Sequence, residues 1–128
     1  MKNIDLNIYS AGGVETYYYP VPCRGVLHSL KVVANATLVA TGTIIASRDT
    51  TAVNTITVPA GDIAAGIALA GVPDTTNKDL VFDPDSATVA NTKIKFAFDT
   101  TLLGGVANVL LQMEYDDSAY VEQAASEA

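Results

Sequence analysis

The chain has 128 residues, of which 49% are hydrophobic and only 16% charged, and it carries a net charge of −7. That length supports one hydrophobic core and not two. The seven basic residues, Lys2, Arg24, Lys31, Arg48, Lys78, Lys93 and Lys95, are scattered along the sequence. They form no stripe that could follow a phosphate backbone, which argues against nucleic acid and against an anionic membrane surface as partners.

Helical periodicity is nearly absent. Short alternating runs are cut by Gly, Pro, Asn and Asp, the pattern of strands joined by turns. In the first run, Lys2 to Tyr9, Ile4, Leu6 and Ile8 share one face, and Asn3, Asp5, Asn7 and Tyr9 take the other. Ala11-Gly12-Gly13 breaks the chain. The second run, Glu15 to Val21, places Tyr17 and Tyr19 on one face and Tyr18 on the opposite one. Pro20 and Pro22 end it and confine it to a sheet edge or a bulge.

Arg24 to Ala34 is the longest alternating run. Ser29 and Lys31 suit solvent, so the expectation is that Val26, His28, Leu30 and Val32 face inward. Leu38-Val39, Thr43 to Ser47 and Val53 to Val58 follow as strands, with polar turns at Arg48 to Thr51 and at Pro59 to Asp62. Asp62 to Gly71 reads either as a strand or as a single helical turn, because Ile63, Ile67 and Ala70 have helix-like spacing while Gly66 and Gly71 oppose it. After a loop over Val72 to Lys78, Asp79 to Phe82 is a short strand. Asp83-Pro84-Asp85-Ser86 is a turn in which proline presets φ and the Asp side chains bond the local backbone. Asn91 to Asp99 puts Ile94, Phe96 and Phe98 on one face, and Val106 to Tyr115 does the same with Val109, Leu111, Met113 and Tyr115.

Eight or nine short strands at regular spacing, without βαβ alternation, imply an all-β fold: an antiparallel β-sandwich, jelly-roll-like, over residues 1–115. Residues 116–128 are acidic and poor in apolar side chains, and are expected to form a flexible tail.

The candidate chemistry is sparse. Cys23 is the only cysteine and His28 the only histidine. Cys23 is expected to be a small buried residue, and His28 to be a core or interface histidine, since a metal site needs companions. Asp79, Asp83 and Asp85 offer carboxylates for a weak cation, without the glycine and distal glutamate of an EF-hand. No GxSxG elbow, phosphate loop or HExxH pattern is present. The reading is therefore a protein that is not an enzyme and uses no cofactor. Tyr17, Tyr18 and Tyr19, with Ile4, Leu6 and His28, are the candidate contact residues, because aromatic side chains anchor interfaces.

Met1 to Asp5 is polar rather than a charged stub before an apolar run, and no stretch approaches the ~18 apolar residues of a membrane-spanning helix. Synthesis and assembly in a cytoplasm are expected.

The aromatic-proline stretch Tyr17 to Pro22, the run Arg24-Gly25-Val26-Leu27-His28-Ser29-Leu30-Lys31-Val32-Val33-Ala34-Asn35-Ala36, and the later Ile56-Thr57-Val58-Pro59-Ala60-Gly61 and Thr92-Lys93-Ile94-Lys95-Phe96 together resemble the capsid decoration (cement) proteins of tailed bacteriophages. The likeness is one of texture and strand order over residues 4–115. It implies a jelly-roll virion structural protein, a homotrimer bound to the major capsid protein on the capsid surface and made in the host cytoplasm, with no catalytic residues. A carbohydrate- or ligand-binding sandwich module, or another phage component such as a head fibre or tail protein, is the alternative reading.

Overall fold

A computed structural model describes residues 1–9, 15–34, 42–59, 64, 66–98 and 108–117. Among them are ten strands: β1 (Lys2–Tyr9), β2 (Glu15–Pro20), β3 (Gly25–Ala34), β4 (Gly42–Arg48), β5 (Thr51–Val58), β6 (Ala68–Ala70), β7 (Val72–Pro73), β8 (Val81–Phe82), β9 (Lys93–Phe98) and β10 (Asn108–Asp116). A short 3₁₀ turn, Val89–Thr92, precedes β9. The expected strand at Leu38-Val39 lies outside the described residues, as do residues 62, 63 and 65 of the Asp62 to Gly71 segment, of which Ala68–Ala70 forms a strand, β6.

Every pairing is antiparallel. The first sheet runs β1-β10-β3-β6, with β8 also paired to β3, and the second runs β2-β9-β4-β5-β7. The pairs nest: β1 with β10, β2 with β9, β3 with β8 and β6, and β4 with β5. This is one long hairpin rolled into two facing sheets, which defines a jelly roll. The strand count exceeds the expected eight or nine because the partner of β3 is broken into two short pieces, β6 and β8. Between them the chain leaves the first sheet at Gly71 and adds β7 to the second.

Alternation selects the core. Ile44 and Ala46 of β4, Ile94, Phe96 and Phe98 of β9, and Val109, Leu111, Met113 and Tyr115 of β10 are all buried. Phe82 of β8 completes an aromatic layer between the sheets. Each such side chain contributes about 1.5–3 kcal/mol on leaving water.

Two bulges shift the pattern. Ser29 pairs with Glu114 and Leu27 with Tyr115, so His28 is an extra residue on β3. A bulge re-phases everything beyond it. Leu27 therefore turns into the core and His28 is exposed, which corrects the expectation that Val26 and His28 face inward with Leu30 and Val32. In the second sheet Ala46 pairs with Asn54 and Ser47 with Ala52, which leaves Val53 extra and brings both Val53 and Asn54 inside. The Asn54 Oδ1 and Nδ2 atoms are buried with no hydrogen-bond partner among the described residues. The amide lies against Gly71, in the space that any side chain there would claim.

At one end of the sandwich Tyr115 ties three segments together. Its hydroxyl donates to the Cys23 carbonyl, and the Phe82 carbonyl lies 3.4 Å away. Burial pushes its pKa up, so the phenol stays neutral and remains a donor. Gly25 passes directly over the ring. A Cβ at Gly25 would come within 2.8 Å of the Tyr115 ring and 2.6 Å of the Asp116 carbonyl oxygen. Gly25→Ala should therefore cost about 1–3 kcal/mol by overpacking, and Tyr115→Phe about 0.5–1.5 kcal/mol from the lost hydrogen bond. Urea unfolding checks both: the midpoint should fall with the slope unchanged.

Candidate functional site

The two sides of the sandwich are closed differently. On one side the chain crosses between the sheets through β6, Gly71 and β7, and the Gly71 N–H donates to the Leu30 carbonyl at 2.7 Å. On the other side the edge strands β1 and β2 each have one paired neighbour among the described strands. Ile4 and Leu6 from β1, and Tyr17 and Tyr19 from β2, pack against the core from these edges and stay half-exposed. Tyr17 meets Phe98 edge-on, with ring centroids 5.5 Å apart and an interplanar angle of 86°. Alternation puts Ile4 with Leu6 and Tyr17 with Tyr19 on shared faces, and the structure turns both faces toward the core, at a seam between the edge strands that no other described strand covers.

Tyr18 points the other way, onto the outer face of the second sheet, and is 57% exposed. The Lys93 ammonium lies 4.9 Å from its ring centroid, within cation–π range. The pairing registers extend this face as a row from Thr16 through Ala97, Ile45 and Thr55 to Val72. Val72 is 70% exposed. Val89, 68% exposed, joins Tyr18, Lys93 and Lys95 around a shallow depression of about 280 Å³ that Asp49 also lines. The sequence reading missed Val72 and Val89, because nothing in a single apolar residue beside a proline or in a polar loop marks it as outward.

His28 does not join the seam. The bulge puts it on the outside of the first sheet, in a depression shared with Lys78, Asp79 and Asp116. Asp79, Asp83 and Asp85 do not converge either. Among the described residues no three His, Cys, Asp or Glu side chains are grouped to hold a metal ion. The Asp83 carboxylate instead lies 3.6 Å from the Arg24 guanidinium Nε, and accepts from the Asp85 backbone N–H at 2.9 Å. The latter bond closes the expected Asp-Pro-Asp turn.

Cys23 is half-buried rather than buried. Its thiol faces the Asp117 carboxylate at 3.9 Å, and Asp117 also lies 3.7 Å from the Lys2 ammonium. Asp116 closes β10 and Asp117 follows it, so the acidic segment begins as strand; residues 118–128 lie outside the described residues. Desolvation, then the Asp117 charge, raises the Cys23 pKa, and Lys2 opposes this. The nucleophile at sulfur is the thiolate, so this setting suppresses reactivity. No helix among the described residues is long and apolar enough to cross a membrane.

Comparison with protein-family models, with curated proteins and with solved structures gave no match.

The Cys23 setting makes a measurable statement. At pH 7.5 maleimide should label native Cys23 more slowly than the urea-unfolded chain, and Asp117→Asn should speed labelling of the native protein by lowering the thiol pKa. Stopped-flow or mass-spectrometric labelling rates check both.

Proposed function

We propose that this protein is a virion structural protein, a capsid decoration (cement) protein that acts by burying its surface against the major capsid protein and against copies of itself in a homotrimer. The observation that carries the reading is the open β1/β2 side. Four half-exposed apolar and aromatic side chains line its seam, beside a neighbouring face that bears exposed Tyr18 and Val72. Aromatic side chains that are partly buried before binding lose little conformational freedom on contact, which suits them to anchor an interface.

The rest of the molecule is compatible with this role. The jelly roll is a framework used by capsid and lectin domains alike, so the fold by itself leaves the choice between them to the surface. The outer row of Thr16, Ala97, Ile45, Thr55 and Val72 is uncharged, and burying it against protein strips no charge of water. The net charge of −7 disfavours contact with packaged DNA.

The mechanism is linkage. A protein that binds the assembled shell and not the loose subunit stabilises the shell by mass action, and many identical copies multiply a modest contact. The working location in this reading is the outer surface of the virion, reached after synthesis in the host cytoplasm.

Co-sedimentation with heads of the parent virus prepared without this protein tests the proposal. The wild-type chain should sediment with the heads, and light scattering of the free protein should give three times the chain mass. Tyr18→Ala should weaken head binding by about thirtyfold, the loss of a typical interface anchor at about 2 kcal/mol, with the melting temperature of the free protein unchanged. A stable monomer that stays in the supernatant would overturn the reading.

A further inference from the structure

The outer face of the first sheet carries a groove of about 490 Å³ that the contacts described above leave open. Six polar side chains line it in two rungs set by the strand registers. Asn3, Glu114 and Ser29 form one rung, and Asp5, Gln112 and Lys31 form the other. Pleated geometry spaces these groups about 4.8 Å across the strands and about 6.8 Å along them. Gly71 lines the same groove at the β6 edge.

The chemistry of the lining narrows the ligand. Two carboxylates, one ammonium, two amides and a hydroxyl present acceptors and donors side by side. An apolar ligand would strip water from all six without replacing their hydrogen bonds. An anion would face both Asp5 and Glu114, and among the described residues no three ligating side chains gather around a metal ion. A neutral, hydroxyl-rich molecule meets these demands, because each hydroxyl donates once and accepts twice. The groove volume lies in the range of small-ligand sites, roughly 300–1,000 Å³.

One further observation points the same way. The Ser29 hydroxyl already donates to Glu114 Oε1 at 2.8 Å, which fixes that carboxylate before any ligand arrives.

We propose that this groove is a binding site for neutral saccharides, held edge-on by Asp5, Gln112, Glu114 and Lys31 through hydrogen bonds rather than by ring stacking. The groove shares β1 with the seam but opens on the opposite face of that strand from Ile4 and Leu6, and on the other sheet from Tyr18, so a protein seated on a capsid by the seam and the Tyr18 face would still present it. The proposal stands whether or not the capsid reading does.

The test uses the full chain on an array of neutral and acidic glycans, followed by titration calorimetry with the strongest neutral glycan. That glycan should bind, and its deoxy analogues should bind at least tenfold more weakly, because a site built around hydroxyls is left unpaired without them. Asp5→Ala and Gln112→Ala should each weaken binding at least tenfold with unchanged melting temperature, while Tyr18→Ala should leave it intact. Backbone amide shifts on titration should concentrate in residues 3–5, 29–31 and 112–114. Signals from acidic glycans alone, no signal from any glycan, or binding that ignores Asp5→Ala and Gln112→Ala would overturn the proposal.

Discussion

The structure depends on the aromatic and aliphatic layer that its two sheets share. Phe96 and Phe98 on β9, Phe82 on β8 and Tyr115 on β10 fill the space between the sheets, and Ile44, Ile56, Ile94, Val32 and Leu111 interlock around them. Three of these four rings lie on strands that arrive late in the sequence. The nested pairing of β1 with β10 and β2 with β9 brings them opposite strands laid down early, and a chain dominated by such distant contacts makes each sheet worth little without the other. The Tyr115 hydroxyl, bonded to the Cys23 carbonyl beneath Gly25, pins one end of this arrangement.

The strands were legible wherever an alternating run met no interruption. In β1, β9 and β10 every inward residue follows from period-two spacing, and the Pro20 argument that β2 sits at an edge holds in the sheet order. The phase of β3 was not legible, because a bulge leaves no mark in composition. One extra residue at His28 exchanged the burial of His28 and Leu27. The segment around Gly71 was opaque for a related reason. A strand that pairs for three residues with one sheet and then for two with the other is too short to show a period, and what marks the crossing is a bare glycine against Asn54, a contact between positions 17 residues apart. Of the candidate contact residues, the shared face of Ile4 and Leu6 and the opposition of Tyr18 to Tyr17 and Tyr19 followed from the alternation, whereas which tyrosine face turns inward is set by the fold. The groove on the first sheet did not, because its six side chains read in the sequence as ordinary solvent positions on three separate strands, and only the register sets them side by side.

The unequal sides of the sandwich organise the functional reading. Where the chain crosses from sheet to sheet, the core is sealed and costs an unpaired asparagine amide. Where β1 and β2 end their sheets, the same core shows through at Ile4, Leu6, Tyr17 and Tyr19. A freestanding domain usually guards such edges with charge, bulges or a covering loop. Here β1 carries Lys2 and Asp5 at its edge, and β2 ends in Pro20, which limits pairing with other strands without covering the apolar seam. A partner that covers this side completes the core as well as forming a contact.

Under the proposed capsid role, hydrogen–deuterium exchange on the protein free and bound to phage heads measures that completion directly. Binding should slow exchange along residues 2–9 and 15–20, where the edge amides and the half-covered side chains lie, and should leave residues 76–82, beyond the outer row that ends at Val72, unchanged. Protection that appears instead at residues 76–82, with the β1 and β2 amides exchanging as in the free protein, would contradict the account.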